Sequence, residues 1–126
     1  QNIPVLRMIT KSLEEVTADA RSLSRMLNRA KLPASIKTEA CESQIGGGSL
    51  PLERIPSMAV ALKPEKISVA ELEMRMRHLP IPIIPRTAND TVLIDVRTVD
   101  RSQFRKITDQ FVEYGIMEED SKVEVR

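Results

Sequence analysis

The order of hydrophobic and polar positions divides the chain into a short run of elements. From residue 10 to 31, Leu13, Val16, Ala20, Leu23, Leu27 and Ala30 recur at steps of three and four, one apolar stripe of an amphipathic helix. Ser12 with Glu15 forms a capping-box signature at its start, and Pro33 stops it. A lead-in turn is expected over Ile3–Thr10, opened by Pro4. A helix of roughly 20 residues is about 30 Å long, more than a small core needs. From Ser35 to Ile45 the period shifts to two, predicting a partly exposed strand that Gly46-Gly47-Gly48 ends. Ser57–Lys63, apolar and bounded by Pro56 and Pro64, predicts a buried strand. Ser68 and Glu71 repeat the capping signature ahead of Val69, Leu72, Met76 and Leu79, a second helix reaching His78. Pro80, Pro82 and Pro85 forbid helix. Asn89-Asp90 is a turn between Ile83–Arg86 and the alternating strand Thr91–Arg97. Asp100 caps a last helix, with Phe104, Ile107, Phe111 and Tyr114 inward and Gly115 as its stop.

A hairpin at Asn89 forces antiparallel pairing. The order helix, strand, strand, helix, strand, strand, helix therefore predicts an α+β two-layer sandwich, a small antiparallel sheet backed by helices. Residues 1–33 read as a helical lead-in, 34–117 as the small α+β domain, and 118–126 as a charged tail that frays.

Composition narrows the function classes. The 126 residues carry 19 Lys+Arg, 18 Asp+Glu and a net charge of +1, with 41% hydrophobic and 2% aromatic residues. That balance gives no overall electrostatic footprint for nucleic acid, and the scarcity of aromatics argues against base stacking on rings. No run spans a membrane and no secretory signal opens the chain. With one cysteine, Cys41, and no disulfide framework, the expected compartment is the cytoplasm. A first residue of Gln, not Met, reads as a cut edge of a longer protein.

Chemistry is sparse. His78 is the only histidine, so no His pair for a metal and no catalytic triad can be assembled, and a helix-end capping role is favoured over catalysis. Cys41 reads as an inert, partly buried thiol ahead of a nucleophile. Gly46-Gly47-Gly48-Ser49 either presents backbone N–H groups to an anion or is a flexible interstrand loop; no Gly-Lys-Ser/Thr follows, so it is not a P-loop. Arg21, Arg25 and Arg29 lie at i, i+4 spacing, a solvated face or a contact for RNA phosphates. Asp95 and Arg97 read as a surface pair ahead of a catalytic one.

The wording of several segments adds to this. Ile3-Pro4-Val5-Leu6-Arg7-Met8-Ile9-Thr10, Ser43-Gln44-Ile45-Gly46-Gly47-Gly48-Ser49-Leu50-Pro51 and Arg54-Ile55-Pro56-Ser57 resemble the C-terminal part of bacterial selenocysteine synthases, the L-seryl-tRNA(Sec) selenium transferases. The resemblance continues through Leu79-Pro80-Ile81-Pro82-Ile83-Ile84-Pro85-Arg86 and Leu93-Ile94-Asp95-Val96-Arg97-Thr98-Val99, covering residues 1–112 in order. It implies the C-terminal small domain of a fold-type-I pyridoxal-phosphate enzyme, with 1–33 as the interdomain helix region. The implied reaction converts seryl-tRNA(Sec) to selenocysteyl-tRNA(Sec) with selenophosphate.

The implied partners are the protein's own large pyridoxal-phosphate domain, the tRNA and selenophosphate, in a homo-oligomer. The resemblance places the cofactor lysine upstream of Gln1, so no catalytic residue is expected here and the piece alone should bind no cofactor and be inactive. It also makes Ser43, Gln44, Gly46, Gly47, Gly48 and Ser49 the candidate substrate-binding segment, facing the ester or the terminal adenosine of the tRNA. The alternatives are a freestanding interaction or RNA-binding module, and the small domain of a related pyridoxal-phosphate lyase.

Overall fold

The computed structural model describes residues 11–47 and 50–124, of which 45–47 and 50–52 are described as backbone only. The expected lead-in turn over Ile3–Thr10 lies outside the described residues. Helix α1 (Leu13–Arg29) starts at a full capping box: Ser12 Oγ accepts from Glu15 N–H, and Glu15 returns the favour to Ser12 N–H. It ends at Ala30, after which Lys31 turns left-handed at φ 56°. Val16, Ala20, Leu23 and Leu27, the expected stripe, are fully buried.

Strands β1 (Ala34–Gly47) and β2 (Leu50–Pro64) form one long antiparallel hairpin, in register from Ala34 opposite Pro64 to Ile45 opposite Glu53, with an irregularity before Gly47. This corrects the shorter strand expected at Ser57–Lys63, because β2 runs straight through Pro56. The proline is tolerated because of where its backbone points. The Pro56 carbonyl accepts from the Arg97 guanidinium, so that edge faces away from β1, and no ladder N–H is needed there.

Helix α2 (Val69–Arg77) is capped by Ser68 Oγ at Glu71 N–H, while the Glu71 carboxylate pairs with Arg75 at 2.9 Å. His78 is its C-cap. Strands β3 (Arg86–Ala88) and β4 (Thr91–Asp95) join through Asn89 and Asp90, both at positive φ (51° and 62°), a two-residue turn whose twist suits a hairpin. Short 3₁₀ turns at Val96–Thr98 and Arg101–Gln103 lead to helix α3 (Phe104–Glu113). Gly115 follows at φ 55°. A Cβ there would meet only ordinary contacts, so the left-handed backbone alone selects glycine.

The sheet order is β1-β2-β4-β3, all antiparallel, giving the expected α+β architecture. Val60, Leu62, Val92 and Ile94 face the helices and pack with Leu23, Leu72, Met76, Ile107 and Phe111. Each such side chain contributes roughly 1.5–3 kcal/mol by leaving water. The opposite face carries a smaller cluster of Ala59, Ala61 and Leu93, with Cys41 and Ala88 against it. Beyond Met117, where a frayed tail was expected, the Arg75 guanidinium donates to the carbonyls of Ile116, Glu118 and Glu119, and Lys122 N–H donates to Tyr114 O.

Candidate functional site

On the second face of the sheet, strand alternation brings Cys41, Ser43, Ser57, Asp95 and Arg86 together. Cys41 pairs with Ser57, Ala59 with Asp95, and Arg86 with Leu93, so these residues share one side of the pleat. β4 pairs with β2 only over Ala59–Leu62, which leaves the distal hairpin without a neighbouring strand. A two-stranded ribbon alone is marginal in water. Here it is fastened by side chains.

Asp95 is the fastener. One carboxylate oxygen, Oδ2, accepts from the Ser43 hydroxyl. The other, Oδ1, accepts from Ser57 Oγ at 2.7 Å and from Arg97 N–H at 3.1 Å. Ser43 lies four residues past the partner of Ala59, so its reach to Asp95 means that the ribbon coils over the end of β4. The Arg86 guanidinium stands 3.9 Å from Asp95 Oδ2 and donates to Glu42 O at 2.9 Å, a second tie from the far edge of the sheet. Asp95 is 8% exposed. A carboxylate so buried persists because its acceptors are filled and a cation stands beside it.

Arg97 plays a different part from the surface pairing expected of it. It is 6% exposed, and its guanidinium donates to Pro56 O at 3.1 and 2.8 Å and to Lys11 O, while only its backbone N–H meets Asp95. The fork thus ties the approach to α1 to the middle of β2. Cys41 sits half-buried in the same network. Burial, and then the Asp95 charge, push its thiol above the usual range, against a smaller opposing pull from Arg86. That environment suits an unreactive thiol.

Next to this network lies a cavity of about 560 Å³. Ser43, Gln44, Arg86 and Asp95 form its polar side, and Ile81, Ile83, Ile84 and Ile107 contribute to its apolar side. Ile84 is 78% exposed. Gln103 also lines it, and the Gln103 Oε1 atom is buried without a hydrogen-bond partner. Of the sequence candidates, Ser43 and Gln44 reach the cavity; Gly46 and Gly47 close β1; Gly48 and Ser49 lie outside the described residues. Ser57, Arg86, Asp95 and Gln103 were not singled out as site residues. The available signal was a carboxylate ending the apolar strand Val92–Ile94. Among the described residues no lysine lines the cavity; Lys11 is bound to Asp19 and Lys66 to Glu118. No cluster of metal-binding side chains occurs among the described residues, and no helix there is long and apolar enough to cross a membrane.

The segments meeting at Asp95 are those whose wording resembles the selenium transferases, and comparison with known proteins bears on that directly. The family model for L-seryl-tRNA selenium transferase matches residues 1–100. The chain belongs to this family. It is similar to the L-seryl-tRNA(Sec) selenium transferase of Desulfotalea psychrophila, 36% identical over 115 residues, covering 90% of this chain and 25% of that protein. The transferase of Geotalea uraniireducens is 39% identical over 101 residues, 79% of this chain and 22% of that protein. That of Clostridium botulinum strain Hall is 36% identical over 111 residues, 88% and 24%. This selenium transferase family member thus spans about a quarter of the length of the curated relatives it matches.

Proposed function

We propose that the chain is the C-terminal small domain of a pyridoxal-phosphate enzyme that converts L-seryl-tRNA(Sec) to selenocysteyl-tRNA(Sec) with selenophosphate, working in the cytoplasm as a homo-oligomer. One observation carries the reading: the Ser43–Pro51, Arg54–Ser57, Leu79–Arg86 and Leu93–Val99 segments, far apart in the chain, are tied to one another at Asp95 and Arg97 beside the cavity. A family-matching sequence that converges on one place is the expected arrangement for a domain shaping one side of an active site.

The residues present do not fit the cofactor itself. An imine-forming cofactor needs a lysine amine, and the cavity offers none. Its attachment is assigned to sequence outside this chain. What this chain does is bind and orient. Ser43, through Asp95, fixes the base of the Ser43, Gln44, Gly46, Gly47, Gly48 and Ser49 segment, making Ser43 a positioning residue. Gln44 is exposed and lines the cavity, which supports assigning it a contact with substrate.

The 126-residue chain alone is expected to show no cofactor absorbance in the visible and no selenocysteyl-tRNA formation; the protein extended by its large domain shows both. Cofactor bound through a lysine of the short chain overturns the assignment.

A second reading has its own observation. Arg21, Arg25 and Arg29 are all exposed on α1, whereas Asp19, the acid nearest to them on that helix, is buried and already bound by Lys11 and Arg101. RNA contact through this row predicts salt-dependent binding that weakens in the triple alanine variant. Unchanged affinity rejects it.

A further inference from the structure

We infer that two copies of this chain pair edge to edge through β1, antiparallel, with the two-fold axis of the pair at Thr38. The inference goes beyond the reaction proposed above and needs neither the cofactor nor the tRNA. β1 is an outer strand of the sheet and is 14 residues long. It holds no proline and a single lysine, so most of the devices that blunt a sheet edge are missing from it.

The ladder with β2 fixes which backbone groups face outward. Pro64 stands opposite Ala34 and Pro56 opposite Glu42, while Glu65 N–H donates to Pro33 O. Hydrogen-bonded pairs therefore fall at the odd positions of β1, and Ile36, Thr38, Ala40 and Glu42 turn their N–H and C=O groups outward. The chain closes this edge itself at two places. Asn28 Nδ2 donates to Ile36 O at 3.5 Å, and the Arg86 guanidinium donates to Glu42 O at 2.9 Å. Between them, the outward backbone groups of Thr38 and Ala40 meet no hydrogen-bond partner among the described residues, and Ala40 is exposed.

Charge identifies the occupant. Lys37 and Glu39 lie on the face of the sheet away from the helices, and their partners on β2 are Ala61 and Ala59. Neither makes an ion pair among the described residues. In two β1 strands centred on Thr38, Lys37 of one copy stands directly opposite Glu39 of the other, and symmetry repeats the pair. Thr38 exchanges backbone hydrogen bonds with its own copy, and Ile36 with Ala40. Moving the axis to Glu39 sets like charges against each other and calls on Glu42 O, which Arg86 already holds. With the axis at Thr38, Glu42 falls opposite Ala34, whose N–H is bound to Leu32 O, so the new ladder stops where the edge is already used. Two four-stranded sheets thereby become one continuous sheet.

The test uses the 126-residue protein. Sedimentation equilibrium is expected to show a monomer–dimer equilibrium as concentration rises to about 1 mM, the weak end of specific association. Lys37→Glu or Glu39→Lys alone is expected to weaken the dimer about tenfold, since each turns both opposite-charge pairs into like-charge pairs. The double reversal restores those pairs and is expected to return the wild-type dissociation constant. Oxidation in a Cys41→Ala background reads the register. Thr38→Cys is expected to form an intermolecular disulfide and Ala40→Cys none, because only position 38 meets its own copy across the axis. A wild-type protein that stays monomeric at every concentration, which needs no variant, overturns the inference. So does a dimer indifferent to the charge reversals, or disulfides that form equally at both positions.

Discussion

The two faces of the sheet are held in different ways. On the helix side, Val60, Leu62, Val92 and Ile94 pack against three helices through large, fully or nearly fully buried aliphatic groups. On the other, Ala59, Ala61 and Leu93 make a thin apolar floor, and the cohesion comes from hydrogen bonds to Asp95 and from the Arg86 and Arg97 guanidinium groups. Hydrophobic packing is non-directional and accepts substitutions that preserve volume. A buried carboxylate with filled acceptors has no such latitude, since removing one partner leaves the others unsatisfied. The first face makes the domain stable, and the second decides where the distal hairpin sits relative to the cavity.

Substitutions can break this comparison from either side. The largest loss of stability is expected from Leu62→Ala, about 4 kcal/mol by chemical denaturation, because it removes transfer energy and leaves a cavity in the main core. Asp95→Ala is expected to cost about 3 kcal/mol, by orphaning two hydroxyls and the Arg97 N–H. The two differ in kind: Leu62→Ala loosens the whole domain, Asp95→Ala the hairpin first. Arg97→Lys keeps the charge but loses the fork on Pro56 O, at about 2 kcal/mol. A full rescue by lysine indicates that charge alone matters there. Ser57→Ala should cost about 1 kcal/mol, one hydrogen bond to a carboxylate that retains two others.

The smallest effect is on pH dependence. Burial and the Asp95 charge hold the Cys41 thiol above its ordinary range, so the folded state holds that proton longer than the unfolded chain. Its contribution is fully present below pH 9.0 and is lost as pH climbs through the folded value. Cys41→Ala should flatten the alkaline limb of the stability profile; an unchanged limb assigns it to other groups.

The helix side was legible in the sequence because periodicity encodes it. Val16, Ala20, Leu23 and Leu27 follow the helical step, Ser12 and Ser68 announce their caps, and Asn89-Asp90 states its turn. The Asp95 network was not legible, because its members are joined by sheet register and by a coil of the hairpin that no local pattern records. Ser43 and Asp95 are 52 residues apart. Pro56 was misleading for a similar reason: proline ends a strand only when its missing N–H is needed, and Arg97 rather than β1 lies on that side. Arg75 reaching three carbonyls around residues 116–119 is likewise invisible in a charged segment.

The central claim is that Asp95 holds the distal hairpin in place beside the cavity, and hydrogen exchange tests it most directly. In Asp95→Asn, amides of Ala40–Gln44, Glu53–Ile55 and Ser57 are predicted to exchange at least about tenfold faster, while those of Val60, Leu62 and Ile94 keep their protection. Wild-type protection throughout the hairpin, or loss spread evenly over both faces, would contradict it.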